Sequence, residues 1–406
     1  MRVLHILYQS LPQVSGSSIR SRDILLSQKS IGITVTAITS PFQHSISGEK
    51  EDIIDGIKYI RTSKKKVSSI SDEKKSVFHQ LAKLFSILTF SFSLYKIVKK
   101  EKPDILHAHA MFFCGIPTLI IGKLTGLPVV YEFRSLWMFQ KKFGKKTRLE
   151  TTIETFLLKA EIFTLKRADH SVFLNEKLKG YFISLGHSFA NSSIVNNAVN
   201  TQLIKEKRIP IQVERETPVF GYIGTLTAYE GIEFLIESFQ ELADEGFYNK
   251  LIIYGTGISE KNIVETIKKR PDLKNIQFKG SVHPSEVNKA FSKIDVIINP
   301  RLSNDVTNAV TPLKPLEAMA YHKIVIGSDV GGILELLTNN KNGFTFKAEN
   351  KNSLKKTILK VAYLKEKEKK DIINNALEYV VENKSWIHNA HQYENAYSSL
   401  LENNQG

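Results

Sequence analysis

Two doubly wound α/β domains in tandem are predicted by three features of this sequence. Each half opens with a short apolar strand, a glycine-containing turn and a helix, first at Val3–Tyr8 and again at Pro218–Ile223. The strands between are brief and continuously apolar, as at Ile324, Val325 and Ile326, the pattern of a buried parallel sheet. A chain of 406 residues has room for two or three such domains with ample core.

In chain order, Val3–Tyr8 is the first strand. The turn after it contains Gly16, and a helix follows from Ser18 to Ser30. Glycine there lets a ligand approach the backbone, but the spacing is not a dinucleotide fingerprint, and a plain βα turn reads equally well. Thr34–Thr39 is the second strand. Residues 41–75 read as irregular and polar, with lysines at 64, 65, 66, 74 and 75. Val77–Val98 carries apolar residues at mostly helical spacings between flanking lysines. It is either a core helix or a greasy, basic edge that touches a bilayer.

Ile105–His109 is a strand ending in His-Ala-His, so His107 and His109 point the same way. No third ligand stands near them in sequence, and no metal site is expected. Pro128–Glu132 is the next strand. Glu132, Arg134 and Trp137 fall at or just past its end, where an open α/β sheet places functional groups. The alternative is a structural ion pair with an indole plug. A long helix at Thr147–Arg167, strands at His170–Phe173 and Ser193–Asn196, and a charged, proline-bearing linker at 201–217 complete this half.

In the second half, Pro218–Ile223 leads into the turn Gly224–Gly231. Further strands are Leu251–Tyr254, Ile276–Gly280 and Asp295–Asn299. Ser281 and Val282 follow one strand end and offer backbone to a flat base; Arg301 follows another. The densest stretch is 310–335. Pro312 and Pro315 hold its entry extended, and Leu316–Ala320 make a short helix. Gly331 and Gly332 then open a helix at the carboxyl end of a strand, where free N–H groups suit an anion. Lys314 and Glu317, three apart, share one face of a helical turn. They would set a cation for phosphate beside a carboxylate for sugar hydroxyls; a dipole-favoured glutamate is the plainer reading of Glu317. Lys351–Lys370 reads as one solvated helix and Trp386–Leu401 as another.

The net charge of +15 is uneven. Residues 1–200 hold 29 Lys+Arg against 15 Asp+Glu, and residues 201–406 hold 27 against 26. A basic half suits an anionic partner, membrane lipid, a lipid-linked phosphate or nucleic acid, or else is a solvated lysine-rich surface. Cys114 is the only cysteine, which excludes an intrachain disulfide and fits a reducing compartment. The start reads as a strand, not a signal peptide, and the uncharged run Leu84–Tyr95 is short of the ~20 residues that span a bilayer. The expected location is the cytoplasm, with peripheral contact at the inner face of the membrane.

The segment TPLKPLEAMAYHKIVIGSDVGGILE resembles the donor site of the family 4 retaining glycosyltransferases, which have the GT-B fold. LEAMA, the SDVGG turn and the glutamate after it stand at that family's spacings, and YEG at 229–231 with TPLKPLE resembles one subset of it. The resemblance covers nearly the whole chain. It implies an α/β GT-B fold of two Rossmann-like domains facing across a cleft. Residues 1–200 would hold the acceptor, 201–217 would link, 218–383 would hold the nucleotide sugar, and 384–406 would cross back to the first domain. Donor-binding residues would be Gly16, Val282, Arg301, Asn308, Lys314, Glu317, Gly331 and Gly332. Catalytic contacts would come from His109, Glu132 and Arg134.

Four positions depart from the family pattern. Thr225 and Glu230 stand where an arginine and a lysine usually grip the diphosphate, Ala309 stands where a glutamate usually meets the donor sugar, and Arg134 lies near a position where many members have histidine. The subset suggests that Lys314 and Arg301 take over the diphosphate. In the plainer alternative, Lys314 caps a carbonyl and Arg301 pairs with Asp305. No metal and no cofactor are expected beyond a nucleotide-diphosphate sugar as substrate. The expected activity is retaining hexosyl transfer to a glycan or lipid-linked acceptor in surface polysaccharide assembly, with no nucleic-acid partner. A non-catalytic nucleotide-sugar-binding protein and a GT-B nucleotide-sugar epimerase are the rivals.

Overall fold

The computed structural model describes residues 1–13, 15–43, 49–63, 77–139, 147–199, 215, 217–283 and 286–403; in the helix Val77–Glu101, side chains are described at 86 and from 89 onward. The lysines at 64–66 and 74–75 and most of the linker 201–217 lie outside the described residues. The chain forms two compact units: Met1–Met138 with Lys145–Asn196 and Trp386–Gly406, and Asn197–Ser385 with Phe139–Gly144.

The first unit holds an eight-stranded sheet. Its strands are β1 (Arg2–Leu7), β2 (Thr34–Thr39), β3 (Glu51–Ile54), β4 (Ile57–Arg61), β5 (Ile105–His109), β6 (Val129–Phe133), β7 (His170–Phe173) and β8 (Ser192–Ile194). They lie in the order β3-β4-β2-β1-β5-β6-β7-β8, parallel except for the β3–β4 hairpin. That hairpin corrects the reading of 41–75 as irregular. Asp55 and Gly56 both take positive φ, 52° and 71°, the two-residue turn that matches strand twist. The helix Gly16–Ser30 begins two residues earlier than expected, with Ser15 and Ser18 in a reciprocal capping box.

Chain direction across the sheet reverses between β1 and β5. The connection from β1 runs outward to β2, whereas those from β5 onward run the other way. Right-handed crossovers therefore put the helix Gly16–Ser30 on one face and the helices Val77–Glu101, Phe112–Thr125 and Arg148–Arg167 on the other. The last helix, Trp386–Asn403, packs on Gly16–Ser30, with Arg20 5.1 Å above the Trp386 ring.

The second unit holds a fully parallel six-stranded sheet: β9 (Phe220–Ile223), β10 (Leu251–Tyr254), β11 (Ile276–Phe278), β12 (Val296–Asn299), β13 (Ile324–Ser328) and β14 (Phe344–Phe346). The order is β11-β10-β9-β12-β13-β14, so the reversal falls between β9 and β12. One core of Phe220, Tyr222, Leu235, Phe239 and their neighbours lies against the helix Ile232–Asp244; the other, around Leu316, Met319, Val325 and Ile333, lies under the helix Lys314–Ala320. Lys351–Lys370 is not one helix but two, Lys351–Ala362 and Glu366–Asn383, separated at Tyr363–Lys365.

Candidate active site

In the first unit the reversal point carries a buried polar network. His5 on β1 is the register partner of His107 on β5, and His109 is that of Glu132 on β6. His107 and His109, two apart on one strand, stack with ring centres 4.1 Å apart. The hydrogen bonds assign the tautomers. Gln28 Oε1 can only accept, so His5 Nε2 donates to it at 3.0 Å, and His5 Nδ1 accepts from His109 Nε2 at 2.8 Å. His109 Nδ1 then accepts from Arg134. Tyr397 accepts from Gln28 Nε2 at 3.0 Å and donates to His107 Nδ1 at 2.6 Å.

Glu132 anchors the network. Its Oε1 accepts from Arg20 Nε at 2.9 Å and Arg134 Nε at 2.8 Å, and its Oε2 accepts from Tyr393 at 2.7 Å. Burial pushes its pKa up, but Arg134 and Arg20 outweigh this and hold it well below the usual carboxylate range. Burial holds the three imidazoles below their ordinary value, and neighbouring histidine and arginine charge lowers His5 and His109 further. The result is a carboxylate shared by two guanidiniums beside three neutral histidines.

His109, Glu132 and Arg134 are thus brought together as expected, but all are buried, and Arg134, 7% exposed, has the most surface of the three. His5 supplies the third histidine that the sequence reading did not find; the candidate ligand atoms of His5, His107 and His109 lie within 4.8 Å of one another. His5 and His109 are hydrogen-bonded to each other, and Arg134 bonds the latter. The donor set fits a neutral network better than a cation. Gln28, Arg20, Tyr393 and Tyr397 were also missed. A second buried carboxylate, Glu161, accepts from Phe112 N–H, Trp137 Nε1 and Tyr131, and burial raises it to about 7.

In the second unit the reversal between β9 and β12 brings together Glu230, from the turn after β9, Arg301, after β12, and Lys314, at the start of its helix. Glu230 Oε1 lies 2.7 Å from Lys314 Nζ and 3.0 Å from Arg301 Nη2, and Arg301 Nε reaches Oε2 at 3.3 Å. Burial would raise Glu230, but Arg301 and Lys314 hold it at about 2. Burial lowers Lys314, which Glu230 partly offsets. The turn is forced close: Gly231 has φ +71°, and a Cβ there would meet the Pro300 carbonyl oxygen at 2.0 Å.

Arg301 therefore pairs with Glu230, not Asp305, and its Nη1 donates to the Val310 carbonyl at 3.2 Å. Lys314 faces the same carboxylate, with the Tyr222 ring 5.0 Å from Nζ, so it does not act as the carbonyl cap weighed from sequence. Asn308 is exposed, and its Oδ1 accepts from Gly331 N–H at 2.9 Å, so the side chain meant for a donor sugar caps the helix meant for a phosphate. Gly332 has a structural reason: a Cβ would lie 2.1 Å from the Val310 carbonyl oxygen. Glu317 is half-buried in the first turn of Lys314–Ala320, and its charge acts on Lys314. Val282 packs on the core beside a groove of about 620 Å³. Gly16 is the first residue of its helix rather than the middle of a turn, and a Cβ there would meet open space.

Residues 32–203 match the model for Glycosyltransferase Family 4, and residues 204–379 match that for Glycosyl transferases group 1. An uncharacterized glycosyltransferase of Methanocaldococcus jannaschii is 27% identical over 48% of this chain and 48% of its own. The sulfoquinovosyl transferase SQD2 of Arabidopsis thaliana is 22% identical over 71% of this chain and 55% of its own. The chain thus spans about half the length of these two curated relatives. The capsular polysaccharide biosynthesis glycosyltransferase CapM of Staphylococcus aureus is 24% identical over 64% and 68%. Among solved structures, sucrose-phosphate synthase of Thermosynechococcus elongatus has a TM-score of 0.76 at 15% identity, covering 98% of both chains. Anabaena HepE in complex with UDP-glucose has a TM-score of 0.69 at 15% identity, covering 98% of this chain and 99% of that one. These likenesses show the GT-B fold.

Proposed function

Because this chain belongs to the glycosyltransferases, with a family 4 domain followed by a group 1 domain, we propose that it moves a sugar from a nucleotide-diphosphate sugar to a glycan or lipid-linked acceptor, with retention at the anomeric carbon. The observation that carries this reading is the Arg301–Glu230–Lys314 cluster at the reversal point of the second domain. One carboxylate holds two cations in place, and the cluster keeps a net positive charge at the carboxyl ends of the central strands.

In this reading the departing diphosphate is met by preorganised positive charge, which is worth more in a buried site than in water. Most of the Arg301 fork is spent on Glu230 and Val310, whereas an ammonium has three donors and Lys314 turns one toward Glu230. Lys314 is the direct phosphate contact, and Arg301 fixes Glu230. Glu317 takes the ribose hydroxyls. In the first domain Arg134 meets the reacting sugar or acceptor, with Glu132 and His109 fixing its orientation. The binding of UDP-glucose by HepE and the capsule role in the name of CapM support a nucleotide-sugar donor and surface polysaccharide assembly.

The test is incubation with a panel of nucleotide sugars, measuring free nucleoside diphosphate with and without membrane extract. Release that depends on the extract supports transfer. A changed sugar without net release would make the protein an epimerase, and binding without either would make it non-catalytic.

A further inference from the structure

Three neighbouring helices of the first domain share one face of its sheet, with Val77–Glu101 packed on Phe112–Thr125 and that helix packed on Arg148–Arg167. Among the described residues, seventeen large apolar side chains are exposed, and eight of them lie on these three helices. The apolar exposure is therefore concentrated on one face, beyond what scattered surface residues explain. On Arg148–Arg167 the exposed apolar positions Leu149, Ile153, Phe156 and Phe163 fall four, three and seven apart, one continuous stripe opposite buried Glu161 and Leu165. Phe156 is 66% exposed, Leu124 on the middle helix 68% and Phe92 on the first 61%.

Cations are laced through the aromatics. Lys96 lies 4.4 Å over the Phe92 ring, Lys99 5.7 Å over Tyr95, and Arg167 5.6 Å over Phe163. The described residues of the three helices expose eight lysines and arginines and no fully exposed carboxylate; Glu101, Glu150 and Glu154 are half-buried. A second copy of the chain would set cations against cations. A continuous field of anions with an apolar layer beneath it matches both features.

The geometry points to this three-helix face as a docking surface for an anionic phospholipid bilayer. The aromatics and aliphatics enter the headgroup boundary, and the flanking lysines and arginines stay among the phosphates. Among the described residues no helix is long and apolar enough to cross a membrane, so this contact is peripheral. The surface shares no residue with the buried network or with the Arg301–Glu230–Lys314 cluster, and its test needs no turnover.

The full chain is sedimented with vesicles of phosphatidylcholine alone and of phosphatidylcholine with about one third phosphatidylglycerol, at low and high salt. Binding to the anionic vesicles should exceed binding to neutral ones by at least about tenfold and weaken as salt shortens the screening length from ~8 Å toward ~3 Å. The variant Lys159→Glu/Lys166→Glu/Arg167→Glu should lose at least about tenfold in anionic binding. Phe156→Ser/Phe163→Ser should abolish the part that survives high salt. Lys279→Glu/Lys289→Glu, on the second domain, should bind like the unaltered chain. All substitutions are at exposed positions, and circular dichroism checks that each variant is folded. Equal binding to neutral and anionic vesicles overturns the proposal. So does unchanged binding by the phenylalanine variant, or a dimer in sedimentation velocity that the phenylalanine variant dissolves.

Discussion

Lys314 Nζ lies 2.7 Å from Glu230 Oε1, and that one contact joins the helix before β13 to the turn after β9. The carboxylate that replaces the family's usual lysine is thus the partner of the cation proposed to do that lysine's work. Lys314→Ala should lower kcat by at least about a hundredfold, the usual loss for one preorganised electrostatic contact, and Arg301→Ala should do the same by releasing Glu230 to neutralise Lys314. Both should weaken nucleoside diphosphate binding far more than nucleoside binding in calorimetry. Near-normal turnover in both variants would remove the cluster from the mechanism.

Glu230 should set an acid limit on stability. Its folded pKa, about 2, lies below its ordinary value of 4.5. The stabilisation it contributes is therefore fully present above pH 4.5 and is lost as the pH falls toward 2. The shift corresponds to roughly 3 kcal/mol. Urea titrations from pH 6 to pH 2 should show that loss, and Glu230→Gln should remove the corresponding part of the slope. The same variant takes the carboxylate from buried Arg301 and half-buried Lys314 and should cost about 3–5 kcal/mol at neutral pH. Added UDP, GDP or ADP should raise its Tm more than that of the unaltered protein, because the anion replaces the missing charge. An equal rise in both would argue against a phosphate site here.

Glu317→Ala should weaken nucleotide binding about tenfold or more, since a charge-assisted hydrogen bond contributes roughly 1.5–3 kcal/mol. Calorimetry on the folded variant decides it; unchanged affinity assigns Glu317 to the helix dipole alone.

Tyr393→Phe removes one hydrogen bond to buried Glu132 and leaves the ring in place. The expected cost is about 1–3 kcal/mol of stability. Glu132 keeps both guanidiniums, so the cut should fall on stability with a smaller effect on turnover. A kcat loss of a hundredfold with unchanged Tm would instead make Tyr393 part of the reacting site.

The missed hairpin was readable: Asp55-Gly56 between two apolar runs is a local signal with a local cause. The break within Lys351–Lys370 was blurred because no proline or glycine stands at Tyr363–Lys365 and lysines continue on both sides of it. His5, Gln28 and Tyr397 were not legible as site residues, since nothing near each of them in sequence announces a partner.

By itself, the sequence determined the two α/β domains, the glycine-lined strand exits, the placement of His109, Glu132, Arg134 and Arg301 at or near strand ends, and that of Lys314 at the entry of a helix. Those follow from short-range rules, strand periodicity and turn chemistry, which act within a few residues. Only the tertiary structure decided which charges share a partner. Glu230 reads as a defect in one dimension, a carboxylate where a cation belongs. In three dimensions a parallel sheet whose order reverses between β9 and β12 sets that carboxylate against two cations from distant segments. Burial then forces the pairing, because an unpaired charge at that depth is far costlier than a paired one.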